Sequence, residues 1–222
     1  MKHKDIPALL LLSPVALLGI VAAALLAPAA IGTSYKTFRI TSVNMEPSVL
    51  AGDRLMVELL SYFEPRRGDI VVFESIEEPN LTILSRVVAA PGDTVGMTDG
   101  KLYLNEHQPS SSTSGSSPGR SDDSPKLLER MARWQQPFLL RQRNPYTPDK
   151  HNWGPLVVPR GAYFVLGDNS DLSYDSRYWG LVPANRIRGR PRYVYYSYDP
   201  QSYRVIPWLL AIRWARIGHR VD

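Results

Sequence analysis

An uncharged apolar run from Ile6 to Gly32, about 27 residues of mainly Leu, Ala, Val and Ile, constrains this chain more than any other feature. As a helix, such a run spans a bilayer with some tilt. Residues 1–34 are therefore expected to form an N-terminal transmembrane helix, a single membrane anchor. The competing reading is a cleaved signal peptide with Ala27-Pro28-Ala29 as an A-x-A-like site. The run is, however, longer than the roughly 7–15 apolar residues usual in such a peptide. Lys2, Lys4 and the amino terminus flank one end, and Lys36 and Arg39 the other, so the flanking charges favour a cytoplasmic N-terminus only weakly.

The remainder is long enough for one domain of roughly 150 residues with its own core. Hydrophobic residues make up 44% of the 222, as in a folded chain. The absence of cysteine excludes disulfides, thiol catalysis and Cys-based metal sites. No His-x-x-x-His pattern or carboxylate cluster is present, so neither a metal nor a cofactor is expected. The formal charge of +5 comes mostly from Arg, without any nucleic-acid motif. Basic residues cluster instead near the two candidate membrane contacts, which points to membrane lipids and away from nucleic acid.

Beyond the anchor the pattern is mainly β. Strands are expected over Phe38–Val43, Arg54–Leu60, Ile70–Phe73 and Leu81–Ala90, separated by turn residues. Asp99-Gly100 joins two further short strands as a hairpin. Gly161–Leu166 and Arg192–Tyr198 complete the set, and Leu127–Arg143 has roughly helical spacing. Residues 108–124, rich in Ser, Gly and Pro, are expected to be a flexible insertion in a domain spanning 35–204. The tail, 205–222, combines Trp208, Leu209, Leu210 and Trp214 with Arg213, Arg216 and Arg220. It suits either an amphipathic segment at a membrane interface or a helix packed on the domain.

Two polar stretches carry the chemistry. In Ile40–Asp53, apolar and polar residues alternate up to Asn44, and Pro47 then disfavours helix for Glu46, so Asn44-Met45 is expected on a displayed edge. In Leu166–Pro183, a polar run holding Asp175 and Arg177 lies between hydrophobic flanks, with carboxylates and an arginine close enough to pair.

That second run resembles the last signature of type I signal peptidases (leader peptidases, serine peptidase family S26), membrane-anchored endopeptidases that remove signal peptides. The other signatures follow in the family's order. Ser42-Val43-Asn44-Met45-Glu46-Pro47-Ser48 resembles the nucleophile segment, and Arg67–Phe73 the strand after it. Ser85-Arg86-Val87-Val88-Ala89-Ala90-Pro91-Gly92-Asp93 resembles the segment of the general base, and His151–Pro159 the lead-in to the last signature. The resemblance implies a signal-peptidase-type antiparallel β domain on the outer side of an inner or plasma membrane. Its implied partners are exported polypeptides or signal peptides, and an active signal peptidase paralogue is a further candidate.

The pattern departs at two positions. The family's nucleophilic serine and general-base lysine correspond to Asn44 and Ser85. A Ser–Lys mechanism needs a hydroxyl to attack and a neutral, desolvated amine to take its proton. A carboxamide is a poor nucleophile, and a hydroxyl at position 85 is no base near neutrality. In a serine protease of another family, loss of one such partner removes on the order of 10⁶ in rate. Impaired catalysis is therefore expected. The supporting positions are retained: Ser42 matches the hydroxyl of the oxyanion hole, Ser173 the serine that orients the lysine, and Asp175 and Arg177 the bracing pair. Two other readings remain open. One is an active peptidase with an unconventional dyad, for which His107 or His151 would have to approach a serine. The other is a membrane-tethered interaction domain with no catalytic role.

Overall fold

Four consecutive apolar residues, Ile70 to Phe73, are each no more than 3% exposed, because the strand that carries them buries both faces. The computed structural model describes residues 34–78, 80–105 and 124–221. The chain divides into two units, Met1–Tyr35 and Lys36–Asp222. The expected anchor lies outside the described residues but for Ser34, and the expected insertion but for Ser124. Among the described residues no helix is long and apolar enough to cross a membrane.

The large sheet has seven strands: β1 (Ser34–Arg39), β2 (Asp53–Leu59), β3 (Ile70–Glu74), β4 (Thr82–Ala89), β8 (Ala162–Leu166), β9 (Val182–Pro183) and β10 (Ile187–Ser197). Their order is β1-β2-β10-β3-β4-β8-β9. A second sheet holds β5 (Thr94–Thr98), β6 (Lys101–Leu104) and β7 (Trp153–Val157), in the order β6-β5-β7. The registers of β10 with β2 and β3, of β4 with β3 and β8, of β5 with β6 and β7, and of β8 with β9 are all antiparallel, so the mainly β expectation holds. The helices are α1 (Pro125–Gln135), α2 (Ser176–Trp179) and α3 (Pro207–Leu210).

Strand periodicity distributes the core. Ile70 and Val72 join Met45, Val49, Leu55 and Leu84 on one face of the large sheet. Val71 and Phe73 join Val87, Val165 and Trp179 on the other. A third cluster links the two sheets through Ala89, Val95, Trp153, Leu156 and Phe164, with Trp153 stacked on Phe164 at 5.0 Å.

Three expectations shift. The first strand ends at Arg39 rather than Val43, because the chain turns at Asn44 and buries Met45 and Val49, with Val49 N–H bonding Met45 O at 2.9 Å. Only the Asn44 half of the expected Asn44-Met45 edge is displayed. The helix expected over 127–143 stops at Gln135 and tightens into a 3₁₀ turn over Gln136–Phe138, since Pro137 supplies no N–H. Residues 153–157, absent from the expected set of strands, form an edge strand, where Pro155 is tolerated.

The tail packs back on the domain. Arg216 Nη2 lies 2.7 Å from Asp53 Oδ2 and 3.0 Å from Ser48 O, and Asp53 is fully buried. Arg213 donates to Ala51 O at 2.9 Å. Trp208, Leu209, Leu210 and Trp214 remain exposed.

Candidate active site

The turn that buries Met45 leaves Asn44 half-buried at the rim of a groove of about 350 Å³, lined by residues including Ile40, Ser42, Leu55, Val72 and Leu84. Both ends of the Asn44 carboxamide are engaged. Ser42 Oγ donates to its Oδ1 at 2.5 Å, and its Nδ2 donates to Leu84 O at 3.0 Å. Among the described residues, no acceptor binds the Asn44 backbone N–H. Asn44 O accepts from Asn169 N at 3.0 Å, and Val43 O from Asn169 Nδ2 at 3.2 Å, so one asparagine on the β8–α2 loop fixes this stretch of backbone.

Ser85 stands one residue along β4 from Leu84 and is 1% exposed. It pairs with Val71 and so shares the face of Val71, while Leu84 pairs with Val72 and faces Met45. Asn44 thus bonds the carbonyl of the residue before Ser85, yet no hydrogen bond joins the Asn44 and Ser85 side chains.

The β8–α2 loop closes the other side. Gly167 is required here for space: a methyl group on it would fall 2.3 Å from Ser173 Oγ and 2.4 Å from Asn44 O. The serine and the Asn44 backbone therefore meet across a bare glycine. Ser173 is 5% exposed, and its hydroxyl has no hydrogen-bond partner among the described residues, an uncommon state for a buried polar atom. Asp175 and Arg177, each 1% exposed, form a bidentate pair at 2.8 and 2.9 Å. Arg177 also donates to Ser170 O at 2.7 Å, and Asp175 accepts from Gly167 N at 3.2 Å while capping α2. Trp134 and Gln135 of α1 both donate to Arg177 O. The pair thus locks the loop to a helix as well as to itself.

A second ion pair holds the opposite end. Arg86 makes two bonds to Asp168, at 2.7 and 2.8 Å, one to Gly68 O at 2.6 Å and a longer one to Ser48 Oγ at 3.4 Å. The hydrogen bond that Arg86 donates to Asp168 raises the guanidinium above the ordinary arginine pKa. Four segments distant in sequence meet on this one side chain.

A family model described as signal peptidase, peptidase S26, matches residues 15–196. The signal peptidase I of Pseudomonas aeruginosa is 34% identical over 209 residues, covering 82% of this chain and 70% of that protein. The chain belongs to the signal peptidase family, peptidase S26. The signal peptidase I of Leptolyngbya laminosa is also 34% identical, over 160 residues, and this chain spans 68% of itself and 64% of that relative in the match. A solved signal peptidase I from Enterococcus faecalis V583 is 29% identical, with a TM-score of 0.39 over 59% of this chain and 98% of that one.

In this member of the signal peptidase family, Asn44, Ser173 and Asp175 meet at Gly167, Ser42 joins them through Asn44 and Arg177 through Asp175, with Ser85 on the adjoining strand. The two described histidines do not take part. His151 bonds to the β5–β6 turn through its carbonyl and His219 to β10, and neither hydrogen-bonds a serine among the described residues. His3 and His107 lie outside those residues. Arg86, Asp168 and Asn169 lie within the matched stretches, and their positions in the sequence alone give them no role. The Gly-Asp-Asn order after an apolar strand was the available signal: a loop that leaves a sheet edge with a charge and an amide.

Proposed function

We propose that this chain is a membrane-located signal peptidase homologue that binds exported polypeptides in the Ser42–Leu84 groove and does not cleave them at a signal peptidase's rate. The observation that carries the reading is the Asn44 carboxamide, which spans Ser42 Oγ and Leu84 O. Its nitrogen lone pair is delocalised and has no readily removed proton, so it does not serve as a nucleophile. Its oxygen occupies the Ser42 hydroxyl that would otherwise help to stabilise an oxyanion.

The base is missing as well. In the family's chemistry a buried amine accepts the nucleophile's proton, and the Ser85 hydroxyl does not. The orphan hydroxyl of Ser173 fits this account, since the serine assigned to orient a lysine has no ammonium or amine to bind. Retained support around a disarmed centre favours peptide binding, by addition of an extended segment along the groove. The apolar run over Ile6–Gly32 would hold the domain at the membrane, on its outer side, where exported chains and an active paralogue are met.

Reconstruction tests this. The full chain in detergent is given a fluorogenic peptide with an Ala-x-Ala cleavage site, and Asn44→Ser with Ser85→Lys is compared with the natural sequence. The natural chain should show no turnover above background, and the double variant should gain it. Turnover by the natural chain that Ser42→Ala or Ser48→Ala abolishes would sink the proposal.

A further inference from the structure

The second sheet carries a larger groove that plays no part in the site above. It has a volume of about 710 Å³ and is lined by four of the five residues of β5, Thr94, Gly96, Met97 and Thr98. Five residues of strand extend about 15 Å. One wall is the loop after α1, which presents Arg141 and Arg143; the floor includes Tyr146 and Trp153. No Asp or Glu among the described residues lines it. Both arginines are exposed, and neither has an ion-pair partner among those residues.

The groove is pre-formed. Leu140 N–H bonds Pro155 O at 2.9 Å, and Gln136 Nε2 bonds Arg143 O at 3.1 Å, so the arginine loop is pinned to β7 and to the 3₁₀ turn. The Tyr146 hydroxyl donates to Gln135 Oε1 at 2.5 Å and accepts from Gly154 N at 2.8 Å. Gln135 is fully buried and in turn donates to Arg177 O. A rigid bed of this kind spares a ligand the entropy of ordering it.

We propose that this groove is a second binding site, taking an extended acidic segment of a polypeptide, with Arg141 and Arg143 as its carboxylate anchors. Charge complementarity selects the ligand's sign, since two unpaired guanidiniums stand over a lining without acid groups. Shape selects its extent. The groove far exceeds the volume of a single oxyanion, and its length matches about five residues of extended chain. Threonine hydroxyls at 94, 98 and 147 and the Asn152 amide suit the polar groups of a peptide backbone, and the tyrosine and tryptophan rings suit its apolar side chains. A single-stranded nucleic acid needs a longer basic track than two arginines provide. The site is independent of the proposal for the Ser42–Leu84 groove.

The test is fluorescence anisotropy with the full chain in a neutral detergent and a labelled decapeptide alternating Glu and Ala. Saturable binding is expected, weakened at least tenfold by Arg141→Glu with Arg143→Glu and by a smaller factor in Arg141→Gln with Arg143→Gln. Both positions are exposed, so the melting temperature should not change. The matching Lys–Ala peptide should not bind. Four results would each overturn the proposal. They are equal binding by the charge-reversed chain, displacement by inorganic phosphate at equal concentration, tighter binding of an oligothymidylate, and binding only after deletion of residues 106–123. The last would make the chain's own segment the occupant.

Discussion

Asn44 Nδ2 donates to the main-chain carbonyl of Leu84 at 3.0 Å. Leu84 lies in the part of β4 beyond its paired register with β8, which begins at Arg86. The asparagine side chain therefore occupies, from within the molecule, an acceptor on the strand edge where an added peptide would look for one. Under the proposed function, position 44 would govern access to the groove as well as its chemistry.

Asn44→Ala should release both Ser42 Oγ and Leu84 O. Folding stability should fall by about 1 kcal/mol, the usual net worth of partly exposed hydrogen bonds. An extended Ala-rich peptide should meanwhile bind several-fold more tightly. Chemical denaturation and titration calorimetry measure the two effects. Weaker peptide binding would show that the carboxamide helps to hold the ligand rather than exclude it.

Arg177→Ala would leave the Asp175 carboxylate buried without its partner. Breaking a buried pair from one side costs about 3–5 kcal/mol, far more than the pair contributes over an apolar substitute. The loss should be visible as a large drop in the urea midpoint. Exchange protection should disappear first at Gly167 N, which bonds the same carboxylate.

Gly167→Ala tests the closeness of the two sides of the site. A methyl group 2.3 Å from Ser173 Oγ and 2.4 Å from Asn44 O cannot be fitted without moving one loop. Overpacking of this kind destabilises by roughly 1–3 kcal/mol. Pairing it with Ser173→Gly should relieve the side-chain half of the clash and leave the backbone half, so recovery should be partial.

Alkaline pH gives a separate test in the second sheet. Burial pushes the Tyr146 hydroxyl up from 10.0 to about 12. A group whose pKa is higher folded than unfolded binds its proton more firmly in the native state. Its contribution is thus fully present below pH 10 and is lost as pH rises towards 12. Denaturation midpoints should fall over that window, and Tyr146→Phe should flatten the slope.

Much of this was legible in the residues. The alternation and turn signals placed β3, β4 and the β5–β6 hairpin within a residue or two, because strand period and turn chemistry are local. The signatures around Asn44 and Asp175 located two stretches that the fold brings together across Gly167. What escaped was non-local. Met45 reads like its neighbours in an alternating run, and only the tertiary core makes it a buried anchor. Gly154-Pro155 looks like a breaker unless the strand is known to lie at a sheet edge. The contacts of Asn169 with Val43 and Asn44 join residues more than 120 positions apart, and no local pattern announces them.

Arg216 and Asp53 stand 163 residues apart, and their pairing is what seats the turn carrying Asn44 and Ser48. Synthesis delivers these halves at different times, with the turn early and its clasp after β10, the last strand of the large sheet. Long closures of this kind form late, since the chain entropy lost in making them is not offset until the contacts on both sides exist. A growing chain therefore carries an unseated Ser42–Ser48 turn through most of its translation. The turn beside the Ser42–Leu84 groove gains this clasp only after residue 216 has been made and folded back.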